Sequence, residues 1–182
     1  MAFHVDNKFP ATAHEVLQKR LVFTDFIPDG ARTLQYAPPQ PIYTSTIDAL
    51  LEKKLLANAH LTAWQYVLIA QEELVGVAEV RVTKPGADAE AMFQILYPAE
   101  YAQSVNLAID AADKQPGNYE LRMLRVSQVY LFAVWLVHGC ESLLLPVEPV
   151  PSRLRGREVW TEPDLSLALN ELARNRRYTR DR

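Results

Sequence analysis

The chain has 182 residues, 49% of them hydrophobic and 23% charged, which is enough to bury a core of ordinary domain size and excludes a disordered chain. A formal net charge of -3 gives no global attraction to nucleic acid or anionic membrane, so any such role has to be local. Cys140 is the single cysteine, which excludes an internal disulfide and a multi-cysteine zinc site and points to a reducing, cytoplasmic setting.

The first residues, MAFHVDNKFPATAHEV, do not read as a secretory leader, because no basic segment precedes an apolar core. Residues 1–45 read as an N-terminal arm, partly extended and proline-rich, with a short helix over Ala13 to Leu21 and turns at Ile27–Gly30 and Ala37–Pro41. Pro38, Pro39 and Pro41 disfavour helix and predict an extended or polyproline run, after which the compact domain, residues 46–175, begins.

Ser45 with Asp48 three residues on fits a helix N-cap, and Ile47, Leu50, Leu51 and Leu55 repeat at helical spacing, predicting a helix from Thr46 to Asn58. Thr62–Ala70 and Leu74–Thr83 are β-rich runs around Gln71-Glu72-Glu73 and read as a hairpin, whose turn lacks Asn-Gly and leaves the register open. A turn at Lys84–Asp88 leads to a third strand, Ala89–Tyr97. Pro98, Glu100 and the spacing of Tyr101, Val105, Ala108, Ile109 and Ala112 predict a second helix ending near Lys114. Three more strands follow at Tyr119–Val126, Val129–Val137 and Leu143–Val147. Thr161, Pro163 and Asp164 open a third helix with Leu165, Ala168, Leu169 and Leu172 on one face.

The expected fold is therefore α+β: one domain, a mostly antiparallel sheet of about six strands, and three helices in the order αβββαβββα, which hints at a duplicated αβββ unit. That order is similar to the one in secretion-chaperone-like domains, which are binding modules, although no motif is shared. Val129–Val137, the longest apolar run at nine residues, falls well short of the roughly 20 that a membrane helix needs, so no membrane partner is expected. Being apolar on both alternating faces, it should be a central strand covered on both sides, by helices or by a second subunit.

Signals of chemistry are sparse. His138 and Cys140 are close enough in sequence to suggest a thiol and its base, but Gly139 between them marks a turn and no cysteine-enzyme signature surrounds them. The four histidines show no ligand spacing, and no phosphate-binding glycine loop occurs, so neither metal nor cofactor is expected. Glu79 and Arg81, with Glu120, Arg122 and Arg125, read as charge pairing on a solvated sheet face or as a polar ligand groove. From Arg153 onward the chain carries a surplus of three positive charges, and Arg174, Arg176, Arg177 and Arg180 crowd the end, with 176–182 read as a basic C-terminal tail.

The leading expectation is a non-catalytic interaction or assembly module that binds another protein or a second copy of itself. Tyr130, Phe132, Trp135, Arg174, Arg176, Arg177 and Arg180 are its candidate contact residues. A small enzyme or ligand-binding protein using His138, Cys140 and Glu79 is the first alternative, and nucleic-acid or acidic-partner binding by the arginine-rich tail is the second.

Overall fold

In the computed structural model, residues 3–5, 11–21, 34–82 and 91–180 are described, and the sequence-predicted turns at 27–30 and 84–88 lie outside them. The elements run β1 (Phe3–His4), α1 (Ala11–Leu21), β2 (Leu34–Tyr36), β3 (Gln40–Thr44), α2 (Ile47–Leu51), β4 (His60–Ala70), β5 (Glu73–Val82), β6 (Ala91–Tyr97), α3 (Ala99–Asp113), β7 (Tyr119–Val126), β8 (Leu131–His138), β9 (Glu141–Pro146) and α4 (Glu162–Arg180). The class is α+β, as expected, but among the described residues the sheet has nine strands rather than six, is mixed rather than antiparallel, and carries four helices. The additional strands β1, β2 and β3 all come from residues 1–45.

The strand order is β6-β5-β4-β3-β7-β8-β9. β3 joins two antiparallel meanders, pairing antiparallel with β4 and parallel with β7, so a segment read as part of an arm lies in the middle of the sheet. β2 extends its line along β4, and β1 continues it along β7 at Tyr119 and Glu120. A proline is tolerated in this inner strand because the pairing with β7 starts only at Ile42, one residue after Pro41.

The two faces of the sheet are filled differently. On one, α3 packs Ala102, Val105, Ala108 and Ala112 against Val67, Val77, Leu121, Met123, Val134 and Leu136. On the other, α4 lays Leu165, Leu169 and Ala173 over Leu124, Val126, Leu131, Ala133 and Trp135, and α1 covers Trp64, Tyr66, Leu68, Ala78 and Val80. Leu131 and Trp135 are buried on one face of β8 and Val134 and Leu136 on the other, all within one chain. The double-faced apolar strand is thus covered by the chain's own helices.

No rotation relates the two αβββ units. β4 and β7 run antiparallel across β3, so an axis exchanging them would be normal to the sheet and would keep the helices that open the units on one face, whereas α2 and α3 lie on opposite faces.

Glu79 and Arg125 form the principal polar contact of the α3 face. They stand on β5 and β7, three strand steps or about 14 Å apart across β4 and β3, yet the guanidinium clasps the carboxylate through both oxygens, Nη1 to Oε1 at 2.8 Å. That reach requires the sheet to curl toward α3, and bulges at Ile42/Tyr43, Leu68/Ile69 and Glu79/Val80 supply the bend. The pair is buried, with side-chain exposures of 1% for Glu79 and 12% for Arg125, and not on a solvated face as the sequence suggested. Gln65 Nε2 donates to Gln40 Oε1 at 2.7 Å beside it, both amides buried. Glu120 and Arg122 pair with each other on the opposite face, where Arg122 stacks on Tyr43 and Trp135.

Two local readings change. The N-cap of α2 is Thr46, whose Oγ1 accepts from Ala49 N, while Ser45 Oγ donates to the Leu55 carbonyl at 2.8 Å. The helix stops at Leu51 because Lys53 turns left-handed (φ 58°), which carries Leu55 into the core and brings Leu56 N to Glu162 Oε1. The β4–β5 hairpin closes through Gln71 and Glu72, both at positive φ (52° and 66°), the geometry for which Asn-Gly is the favoured pair.

Glu79→Ala is expected to lower the unfolding free energy by about 3–5 kcal/mol, because the Arg125 guanidinium is left buried without its counter-charge. Glu79→Leu combined with Arg125→Met is expected to retain most of the stability. Urea unfolding separates the two outcomes, and a small loss in Glu79→Ala would show that the pair does not hold the halves together. Replacing Gln71-Glu72 by Asn-Gly should raise stability by about 1 kcal/mol by relieving two left-handed side-chain residues, seen as a melting midpoint about 2–4 °C higher.

Candidate functional site

The chain between β9 and α4 forms a loop fixed at both ends. Val147 N donates to the Phe132 carbonyl at 2.8 Å, and Leu144 and Trp160 exchange both backbone bonds at 2.8 Å. Trp160 Nε1 then donates to the Arg157 carbonyl, and the Arg157 guanidinium lies 4.6 Å from the Trp160 ring centre. Within the loop the Glu148–Pro149 peptide is cis, Glu148 Oε2 accepts from Val150 N at 2.9 Å, and Ser152–Leu154 makes one 3-10 turn.

Beside this loop β7 passes into β8 through a second 3-10 turn, Ser127–Val129, and the residue that redirects the chain is Tyr130. Its backbone is left-handed (φ 52°, ψ 38°), and its N–H bonds the Ser127 carbonyl at 3.1 Å. A left-handed conformation disfavours any residue with a Cβ, and Tyr130 is nonetheless 63% exposed, so little burial compensates for it. Tyr130 therefore does not belong to the apolar strand in which the sequence placed it; β8 starts at Leu131.

Loop, turn and the C-terminal part of α4 enclose a groove of about 390 Å³. Val129 is buried at its base with Val150, Pro151 and Leu172 half-buried above it. Tyr130, Pro149, Arg153 and Arg176 form its exposed margin, with the Arg176 guanidinium 4.9 Å from the Tyr130 ring centre. Arg153 also pairs with Glu171 of α4.

Of the residues expected to make contacts, the groove brings together Tyr130 and Arg176. Phe132 and Trp135 face opposite sides of the sheet, away from it: Phe132 lies over Arg125 and against Tyr101, while buried Trp135 packs on Tyr43 and donates Nε1 to Ser142 Oγ at 3.1 Å. Arg174 is exposed on α4, and Arg177 reaches Asp48 of α2 at 3.4 Å. Arg176 to Arg180, read as the start of a tail, form the last turn of α4, and the Arg180 side chain lies outside the described residues. Pro149, Val150 and Pro151 come to the groove from the loop, and Leu172, expected on the apolar face of the last helix, reaches it from α4.

The enzyme-like candidates do not converge. His138 Nδ1 meets the Asn118 carbonyl at 2.8 Å, Cys140 is exposed in the β8–β9 hairpin, and Glu79 stands on β5 at the far side of β7, β3 and β4. Glu79 is committed to Arg125. Burial opposes the Arg125 charge, but the hydrogen bond and proximity of Glu79 more than offset it, so its pKa rises above the usual value. Burial, then the Glu79 charge, pushes the Tyr97 phenol up, and burial, then Tyr97, raises that of Tyr101 well above the ordinary range, so both stay neutral around the pair. Among the described residues no three His, Cys, Asp or Glu side chains are grouped to hold a metal ion, and no helix is long and apolar enough to cross a membrane.

Comparison of the chain with protein families, curated proteins and solved structures finds no match.

Tyr130→Gly is expected to raise stability by about 1 kcal/mol, since glycine adopts the left-handed turn without a steric cost. Calorimetry checks this, and a lower midpoint would show that the contact of the ring with Arg176 outweighs the backbone strain.

Proposed function

We propose that the protein is a non-catalytic interaction module and that the groove at Tyr130 is where it receives a segment of another protein. One observation carries this reading: a large aromatic residue is held exposed in a backbone conformation that disfavours it, over a proline- and leucine-lined groove. Residues in strained turns that persist without a packing reason gather at binding sites, and aromatic and arginine side chains are the types enriched in protein contacts. The proposal moves the docking surface from the sheet, whose faces are filled by α1, α3 and α4, to the loop and the end of α4. It also gives Arg176 a role in recognition beside Tyr130.

The test is site-specific photocrosslinking in cells of origin, with p-benzoylphenylalanine placed at position 130 or, as a control, at Leu107, an exposed apolar residue of α3. A discrete protein adduct from position 130 and none from position 107 is expected. No adduct at 130, or the same adducts at both positions, would overturn the reading.

A further inference from the structure

The edge of β7 that faces β3 is filled by two separate segments. β3 occupies it from Met123 to Arg125, and β1 runs parallel to it with Phe3 and His4 at Tyr119 and Glu120. β3 does not extend its own ladder to that end. Pro38, Pro39 and Pro41 have no N–H, and Gln40 between them is in register with Gln65 of β4. The seam is therefore built with a slot beside Tyr119, which a strand from elsewhere in the sequence has to close.

β1 fits this slot through alternating side chains. Phe3 and Val5 are half-buried against the core cluster under α3 that includes Tyr119 and Leu121, while His4 between them is exposed. That is the pattern of a strand with one face on a core and the other in water. Its hold on the sheet is nonetheless short: β1 has two residue pairs with β7, against seven between β7 and β8. Among the described residues β1 pairs with no other strand. A terminal segment with so few backbone pairs and only half-buried side chains belongs to the part of a fold that opens first.

We infer that the slot beside Tyr119 is a strand-acceptor site, that β1 is its exchangeable occupant, and that residues 3–5 of a second copy take its place. Two chains are then linked by the contacts that each makes within itself, which makes such an exchange a low-cost route to a dimer. Strand addition at a free sheet edge is also a general mode of recognition, with backbone bonds supplying affinity and alternate side chains supplying selectivity. The second copy is the occupant because the sequence seated in the slot, Phe3-His4-Val5, is its own. The slot lies at the opposite end of β7 from the groove at Tyr130 and does not depend on it.

The experiment uses full-length protein with Cys140→Ser and with His4→Cys and Glu120→Cys at the registered positions. It is oxidised at low concentration to lock β1 onto β7, or reduced to free it. A fluorescent peptide of residues 1–9 is titrated by anisotropy, beside the same peptide with serine in place of Phe3 and Val5. The reduced protein is expected to bind the natural peptide saturably and the serine peptide not at all, and the oxidised protein to bind neither. Phe3→Ser/Val5→Ser in the otherwise natural chain weakens the resident strand and should bind the natural peptide roughly tenfold or more tightly than the unaltered chain does, as when an internal competitor is removed. At millimolar concentration, sedimentation should show a dimer in the reduced protein and only monomer in the oxidised one. The inference is overturned if the intrachain disulfide fails to close, if the oxidised protein binds the peptide as well as the reduced one, if Phe3→Ser/Val5→Ser shows no gain, or if the dimer fraction is the same in both redox states. Because the locked and free forms are one chain, damage to the fold by the substitutions would not produce the difference between them.

Discussion

The buried pairing of Glu79 with Arg125 joins two halves of a sheet that are otherwise connected through a short strand. β3 is five residues long and its ladder to β7 spans three residue pairs, so backbone bonding between the meanders is thin. The ion pair spans that seam from the side, over β4 and β3. Buried ion pairs seldom stabilise a fold more than well-packed apolar residues would; what this pair adds is the exclusion of alternatives. A slip of one residue in β5 or β7 would carry a charge to the opposite face, under α1 or α4, with no partner there. The pair thus fixes register and curvature together, and the hollow it creates is what α3 fills.

Once the sheet is curled, its surfaces are accounted for. α3 occupies the concave face, while α1, α2 and α4 divide the convex one, with His14 on α1 tied to Tyr36 on β2 at 2.8 Å and Arg177 on α4 tied to Asp48 on α2. Apolar burial of this extent is the main driving force of the fold, and it leaves β8 no face to offer a partner. Among the described residues, one opening lies at the end of the sheet where β7 turns into β8 and where the chain leaves β9. The loop there is not an idle connector: it is bonded to β8 through Val147 and to β9 through Trp160, so the groove wall has a defined position before anything binds.

The core elements were legible because they depend on local pattern. Helical spacing located α3 and α4, β-rich runs located β4, β5, β7 and β8, and the two-sided apolar character of Val129–Val137 marked an inner strand. Residues 34–44 were not legible as strands, since three prolines in the stretch from Ala37 to Pro41 argue against an inner strand, and the reason β3 is one lies in β4 and β7, far away in sequence. The Glu79–Arg125 pair was hidden for the same cause: both charges were seen, but only curvature shows that they meet. At the groove, Tyr130 and Arg176 were singled out for their residue types, while the positive φ of Tyr130 is set by a four-residue connection whose geometry no local propensity announces.

Backbone strain by itself does not mark a site in this chain, and the comparison among its left-handed residues shows what does. Lys53, Gln71 and Glu72 also have positive φ. At Gln71 and Glu72 the conformation closes a two-residue hairpin, and at Lys53 it turns the chain so that Leu55 is buried; in each case the strain has a structural return. Their side chains are polar and flexible, so exposing them costs little. At Tyr130 the turn would be made more favourably by glycine, and the exposed ring gains no core contact, only the guanidinium of Arg176 at the margin of a groove. A side chain that is large, exposed, held in a disfavoured backbone state and placed beside an apolar hollow is best explained by something it touches outside the fold, and that combination, not the strain, singles out Tyr130.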